Sequence, residues 1–205
     1  MKHILCFGDS NTYGFNPLGG RYDDSTRWTR VLAGLLGPDY LILEEGLNSR
    51  TTALDDPFEP YRNAMDYIIP CLQTHAPLDL TILMLGTNDM KDYFQPEVDK
   101  INKRLRRLTE VILDVSQAPV LLVSPVHLGE SEPDDPCAGL YPTRSVEVSR
   151  GLAAALQQTA GDLGAAFLDA AGYASPSPAD HVHLSPDGHR RLAHAFADKI
   201  KEMEI

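Results

Sequence analysis

The stretch Ile4-Leu5-Cys6-Phe7-Gly8-Asp9-Ser10 runs from an unbroken apolar segment straight into a glycine, a carboxylate and a hydroxyl. A short apolar run without alternation is a strand covered on both faces, as in a parallel sheet. Four further runs share this form: Leu41 to Glu44, Leu80 to Leu85, Val120 to Ser124 and Ala166 to Asp169. Between them lie stretches of helical period. Trp28, Val31, Leu32, Leu35 and Leu36 form one stripe, closed by Gly37-Pro38, and Met65, Ile68, Ile69 and Leu72 form a second. Val98, Ile101, Leu105, Leu108 and Ile112 form the third, opened by Pro96. An Ala- and Leu-rich helix from Thr143 to Leu163 and a last one from Pro186 to Glu202, N-capped by Ser185, complete the series. This alternation predicts a three-layer α/β/α sandwich around a five-stranded parallel sheet, with right-handed crossovers placing helices on both faces.

Residues 1–205 read as one domain, without a linker, repeat or low-complexity segment, and 43% hydrophobic residues suffice for a sizeable core. Eighteen basic against 29 acidic side chains give a net charge of −11. Such a field repels phosphate backbones and anionic lipids, so neither nucleic acid nor membrane is an expected partner. No run approaches the roughly 18 apolar residues of a bilayer span, and Met1 to Asp9 turns polar too early for a signal peptide. Cys6, Cys71 and Cys137 are odd in number and lack a C-x-x-C pair. They indicate neither a disulfide framework nor a cysteine zinc site, and a reducing cytoplasm is the expected location. Lys103, Arg104, Arg106 and Arg107, largely off their helix's apolar stripe, read as a solvated face.

Ligands of open parallel sheets bind outside the strands' carboxyl ends, and those ends hold the reactive residues here. Gly8 permits a turn on which the Ser10 hydroxyl stands clear of the sheet, where a nucleophile would be placed. Gly86-Thr87-Asn88-Asp89 puts Asn88 at the neighbouring strand's mouth, able to donate to a developing oxyanion. Asp180 and His183 lie three residues apart just before the last helix. The carboxylate can accept from Nδ1–H of the imidazole, leaving Nε2 to take a proton from a serine. His181 is a rival for the base. Asp9 and Asp89 read as residues that hold turns, and His75, His127, His189 and His194 as packing or surface. Tyr13, Phe15, Tyr22 and Trp28 are candidates to line a pocket over Ser10, with Met90, Tyr93 and Phe94 as another wall. Such walls suit a small, partly apolar substrate. Two other readings compete. One is a metal-dependent phosphoesterase using Asp9, Asn88, Asp89, Asp180, His181 and His183, although the early His or Asp-x-His of hydrolytic metal sites is missing. The other is a non-enzymatic binding module on the same scaffold. No metal or cofactor is expected.

In this order the blocks resemble those of the SGNH (GDSL) hydrolase superfamily. Ile4 through Gly14 matches its Gly-Asp-Ser block, Glu44-Glu45-Gly46-Leu47-Asn48-Ser49-Arg50-Thr51-Thr52 its second block, Gly86 through Asp89 its Gly-x-Asn-Asp, and Asp180 with His183 its Asp-x-x-His. The longer strings, with Arg27-Trp28 and Val123-Ser124-Pro125, look most like the arylesterase/acyltransferase branch. The resemblance implies a flavodoxin-like SGNH hydrolase fold. It implies Ser10 as nucleophile, His183 as base and then acid, and Asp180 as its orienting partner. It also implies an oxyanion hole made of the Ser10 backbone N–H, a backbone N–H at Ser49 and the Asn88 side chain. The implied reaction is hydrolysis of short acyl or aryl esters, as by arylesterases or acetylesterases, with acyl transfer to alcohols, in a homo-oligomer. Two departures matter. Asn11 stands where leucine usually follows the nucleophile, which alters the pocket and makes Asn11, with Tyr13 and Phe15, a substrate-binding candidate. Ser49 stands where an oxyanion glycine is usual, and a backbone unable to take the needed angle would lose a donor worth roughly 3 kcal/mol.

Overall fold

A computed structural model describes residues 1–205. Five strands, β1 (Lys2–Gly8), β2 (Tyr40–Gly46), β3 (Leu80–Met84), β4 (Val120–Ser124) and β5 (Ala166–Asp169), form one sheet in the order β2-β1-β3-β4-β5. Every pairing is parallel. Six helices connect and flank them: α1 (Ser10–Tyr13), α2 (Trp28–Leu36), α3 (Ala64–His75), α4 (Val98–Ser116), α5 (Thr143–Leu163) and α6 (Pro186–Glu202). Successive strand side chains point to opposite faces, and the two sets feed two cores. Leu5, Phe7, Leu83 and Leu122 pack beneath α3, α4 and α5, whereas Ile4, Cys6, Ile82 and Leu121 pack beneath α2 and α6. On the second face the Trp28 ring lies 4.6 Å from that of Phe196, and its indole N–H donates to the Asn11 carbonyl at 3.0 Å.

The three-layer architecture and all five strands agree with the sequence pattern, and the differences lie at the ends. Helix α1 has four residues, too few for a periodic stripe, and begins directly after Asp9, whose carboxylate caps it by accepting from Asn11 N–H at 2.9 Å. Pro96 stands outside α4, whose N-cap is Glu97. The basic face of α4 is paired as well as solvated: Arg104 reaches Asp89 at 3.6 Å, Arg106 reaches Asp162 at 2.9 Å and Arg107 reaches Glu110 at 3.6 Å.

Gly8 acts differently from the expectation. Its φ is not positive, and its value is the absence of a side chain, because a Cβ there would lie 2.1 Å from Thr12 Oγ1 and 2.7 Å from the Met84 carbonyl oxygen. Gly46, its register partner on β2, meets the same helix, with a Cβ position 2.1 Å from the Tyr13 nitrogen. The paired glycines let α1 dock against the strand ends, and that docking sets the position of Ser10. Gly46→Ala is therefore expected to lower unfolding free energy by more than about 2 kcal/mol through overpacking. Gly161→Ala, on an open face of α5 with nothing within 4 Å, is expected to raise it by about 0.5–1 kcal/mol. Urea unfolding of both variants checks this, and equal effects would contradict the docking argument.

Candidate active site

Ser10 is the first residue of α1, separated from the end of β1 by Asp9 alone, and Asp180 and His183 lie in the connection from β5 to α6. His183 Nε2 is 2.9 Å from Ser10 Oγ, and His183 Nδ1 is 2.5 Å from Asp180 Oδ2. The other oxygen of Asp180 accepts from the backbone N–H of Val182 at 3.1 Å and of His183 at 3.0 Å. Burial pushes the Asp180 carboxyl up, but the bonds from His183 and Val182 more than reverse this and hold it below its usual range. A carboxylate only accepts, so Nδ1 carries the imidazole proton and Nε2 is free to accept from the Ser10 hydroxyl. His181, the rival base, turns elsewhere: its φ is +60° and its Nε2 faces Asp135 at 3.4 Å.

Ser10 and His183 open onto a cavity of about 300 Å³ that Ser49 and Asn88 also line. As the first residue of a helix, Ser10 has no intrahelical acceptor for its N–H. Ser49 has φ +62°, so a serine adopts the left-handed conformation that glycine provides, at a cost of about 1 kcal/mol, and its N–H donates to no other protein group. The Asn88 amide donates to the Arg50 carbonyl at 3.1 Å and accepts from the Tyr141 hydroxyl at 3.3 Å. These two bonds fix its orientation and leave one N–H uncommitted. The cavity thus gathers a hydroxyl, a base and three donors, which is the set that acyl transfer requires.

Of the substrate-binding candidates, Phe15 lines the cavity, with its ring 4.4 Å from the imidazole of His183. Asn11 and Tyr13 do not. Asn11 is buried, and its side chain accepts from Leu184 N–H at 2.9 Å and donates to the Val182 carbonyl at 3.4 Å, so it clamps the backbone on both sides of His183. Tyr13 lies beneath the Arg21 guanidinium, 4.3 Å from its ring centre. Tyr22 packs on His189, Trp28 and Met90 belong to the cores, and Tyr93 packs edge-on against Phe58 and tilted against Phe94. The walls come instead from Glu59, Lys91, Leu140 and Tyr141, which no local pattern marks because they arise from irregular connections. Nor do the carboxylates and imidazoles of the metal reading bring three ligand atoms together: Asp89 is bonded to Thr52, one oxygen of Asp9 to α1, and His181 faces Asp135. Three ligand-type groups do gather away from the cavity, Glu45, Cys71 and His75. There His75 Nε2 bonds Glu45 at 2.9 Å, and burial followed by the Glu45 charge pushes the Cys71 thiol up to about 12.

Two buried carboxyls flank the site. Asp9 caps α1 with one oxygen while its Oδ2 has no partner, and Asp89 ties β3's loop to Thr52 through that residue's N–H, at 2.9 Å, and its hydroxyl. Burial pushes both up to about 6. The folded chain therefore binds these protons more tightly than the unfolded chain does, and the stability they contribute falls as pH rises from about 4 to about 6. Asp9→Asn keeps the cap and removes the charge. Its stability relative to the native sequence is expected to improve by up to about 3 kcal/mol between pH 4 and pH 8, read by urea unfolding. A difference independent of pH would contradict it.

The GDSL-like lipase/acylhydrolase family matches residues 6–191. Among solved structures, the chain is similar to an aryl esterase of M. smegmatis, at 36% identity over 98% of this chain and 99% of that one, with a TM-score of 0.92. It is similar to Est24, a carbohydrate acetylesterase from Sinorhizobium meliloti, at 36% identity over 99% and 100% of the two chains, with a TM-score of 0.94. A member of the lipolytic protein G-D-S-L family from Veillonella parvula, 19% identical with a TM-score of 0.69, shares the fold. Among curated proteins no match was found. Match and geometry together place the chain in the GDSL-like lipase/acylhydrolase family, the SGNH hydrolases.

Proposed function

We propose that this chain is a serine esterase that hydrolyses short acyl or aryl esters through an acyl-enzyme. The observation that carries the reading is the unbroken line from Asp180 through His183 to Ser10, at 2.5 and 2.9 Å, opening onto a cavity with spare donors. Ser10 Oγ attacks the ester carbonyl while His183 Nε2 takes its proton. The Ser10 and Ser49 N–H groups and the Asn88 amide hold the tetrahedral oxyanion. His183 then protonates the leaving alcohol, and water, activated by the same imidazole, releases the acid. An alcohol in place of water gives acyl transfer. A cavity of about 300 Å³, at the small end of ligand pockets, with Phe15, Leu140 and Tyr141 among its walls, supports a short acyl group on a compact alcohol or phenol.

The reading includes self-association, supported by Phe58 and Tyr61, which stand 75% and 92% exposed on either side of the cavity residue Glu59. It includes a reducing compartment, supported by three free cysteines.

Ser10→Ala is expected to keep the fold and lower turnover of an aryl acetate by at least about 10⁴-fold, and Asp180→Asn by on the order of 10⁴-fold through the wrong imidazole tautomer. Turnover of the native chain is expected to be indifferent to a chelator. Retained turnover in Ser10→Ala overturns the mechanism, and chelator-sensitive phosphate-ester turnover would favour the metal reading. Light scattering at a monomer's mass would remove self-association from the account.

A further inference from the structure

We propose that Glu59 is a positioning residue for the oxyanion donor at Ser49 and acts through the serine hydroxyl. The proposal rests on the esterase reading above. Ser49 carries a β-carbon at φ +62°, a conformation that only glycine adopts freely, and its N–H is the one that must face the cavity. Something must hold the backbone there. The Ser49 hydroxyl donates to Glu59 Oε1 at 2.5 Å, and this is its only protein partner.

Glu59 is itself fixed. Its backbone N–H and that of Phe58 donate to Asp56 Oδ1 at 3.2 and 2.9 Å. The Asp56 side chain is fully buried, and its Oδ2 accepts from Lys91 Nζ at 2.9 Å and from the Tyr93 hydroxyl at 2.8 Å. The second Glu59 oxygen faces Arg62 Nε at 3.5 Å. Lys91 stands three residues beyond Asn88 in the loop after β3. A continuous line of polar contacts therefore runs from the Asn88 loop through Lys91, Asp56 and Glu59 to Ser49. It holds the Ser49 donor in register with the Asn88 donor. A glycine at position 49 would take the same backbone angle without an anchor, so the carboxylate at position 59 compensates for the serine.

The Glu59 side chain is 42% exposed and belongs to neither core, so its removal is expected to leave the fold intact, with an unchanged urea midpoint as the check. The test is steady-state hydrolysis of p-nitrophenyl acetate by the native chain, Glu59→Ala, Glu59→Gln, Ser49→Gly and the Ser49→Gly/Glu59→Ala pair. Glu59→Ala is expected to lower kcat by roughly ten- to a hundredfold with little change in KM, the signature of a misplaced transition-state donor. Glu59→Gln, whose amide oxygen accepts the same bond, is expected to restore most of it. In the Ser49→Gly background, whatever its own kcat, removing Glu59 is expected to change kcat by less than about twofold, because the hydroxyl it anchors is gone. An unchanged kcat in Glu59→Ala, or an equal loss in both backgrounds, overturns the proposal.

Amide hydrogen exchange over residues 47–52 reads the anchor without turnover. Exchange is expected to quicken in Glu59→Ala and to show no such increment in the Ser49→Gly background. An inactive native chain with quickened exchange in Glu59→Ala would overturn the esterase reading and leave the anchor standing. Active enzyme with unchanged exchange would overturn the anchor alone.

Discussion

The Arg50 guanidinium is buried where the carboxyl ends of β1 and β2 meet the loop that follows β2. It donates to the Gly8 carbonyl at 2.9 Å and to the Glu45 carbonyl, and it lies over the Phe7 ring at 4.2 Å and the Tyr67 ring at 5.5 Å. No carboxylate pairs with it directly. The cost of burying the charge is offset by two carbonyl dipoles and two ring faces. Burial lowers its pKa, yet a guanidinium keeps its charge in proteins. The planar fork can serve two carbonyls and stack at once, which an ammonium cannot. Through its own carbonyl, Arg50 also orients Asn88. One residue thus joins the end of β1 and the end of β2 through its side chain, and the loop after β3 through its carbonyl.

The rest of the site follows from the same requirement that buried polar groups find partners. The strand order reverses at β1, and the crevice between β1 and β3 is where a doubly wound sheet leaves room for a ligand. Three ties cross it near that point: Asn88 to Arg50, Asp89 to Thr52 and Lys91 to Asp56. On the other side, Asn11 clamps Val182 and Leu184 and so holds His183 against Ser10. Groups from four separate connections are thereby fixed before any substrate arrives, which is the preorganisation that electrostatic stabilisation of an oxyanion depends on.

The sheet was legible because each strand is a short unbroken apolar run, and the long helices because their stripes are regular. Ser10, Asn88, Asp180 and His183 were legible as candidates because each occupies a strand's carboxyl end or the loop before the last helix. The Asp180–His183 pairing followed from their spacing and the assembly with Ser10 and Asn88 from the resemblance, whereas most of the groups that wall the cavity beside them did not follow from either. Asn11 illustrates the difficulty: its partners lie 171 and 173 residues away, and nothing local distinguishes a clamp from a pocket wall. Helix α1 escaped periodicity by its length, and Gly8 by serving close approach where a turn was expected. Ser49 was visible as a departure, but the angle it adopts depends on Glu59, which no motif marks. Cavity walls such as Leu140 and Tyr141 come from the irregular chain between β4 and α5, whose course depends on tertiary contacts.

The central claim is that Ser10 carries the acyl group between attack and release. Rapid-quench intact-mass analysis of the native chain mixed with excess aryl acetate tests it most directly, followed by mapping of the modified peptide. The account predicts one acetyl group on Ser10, formed with the first equivalent of released phenol and lost at a rate no slower than kcat, and none in His183→Ala. Phenol release with no acetylated species, or acetyl on a different residue, would contradict it.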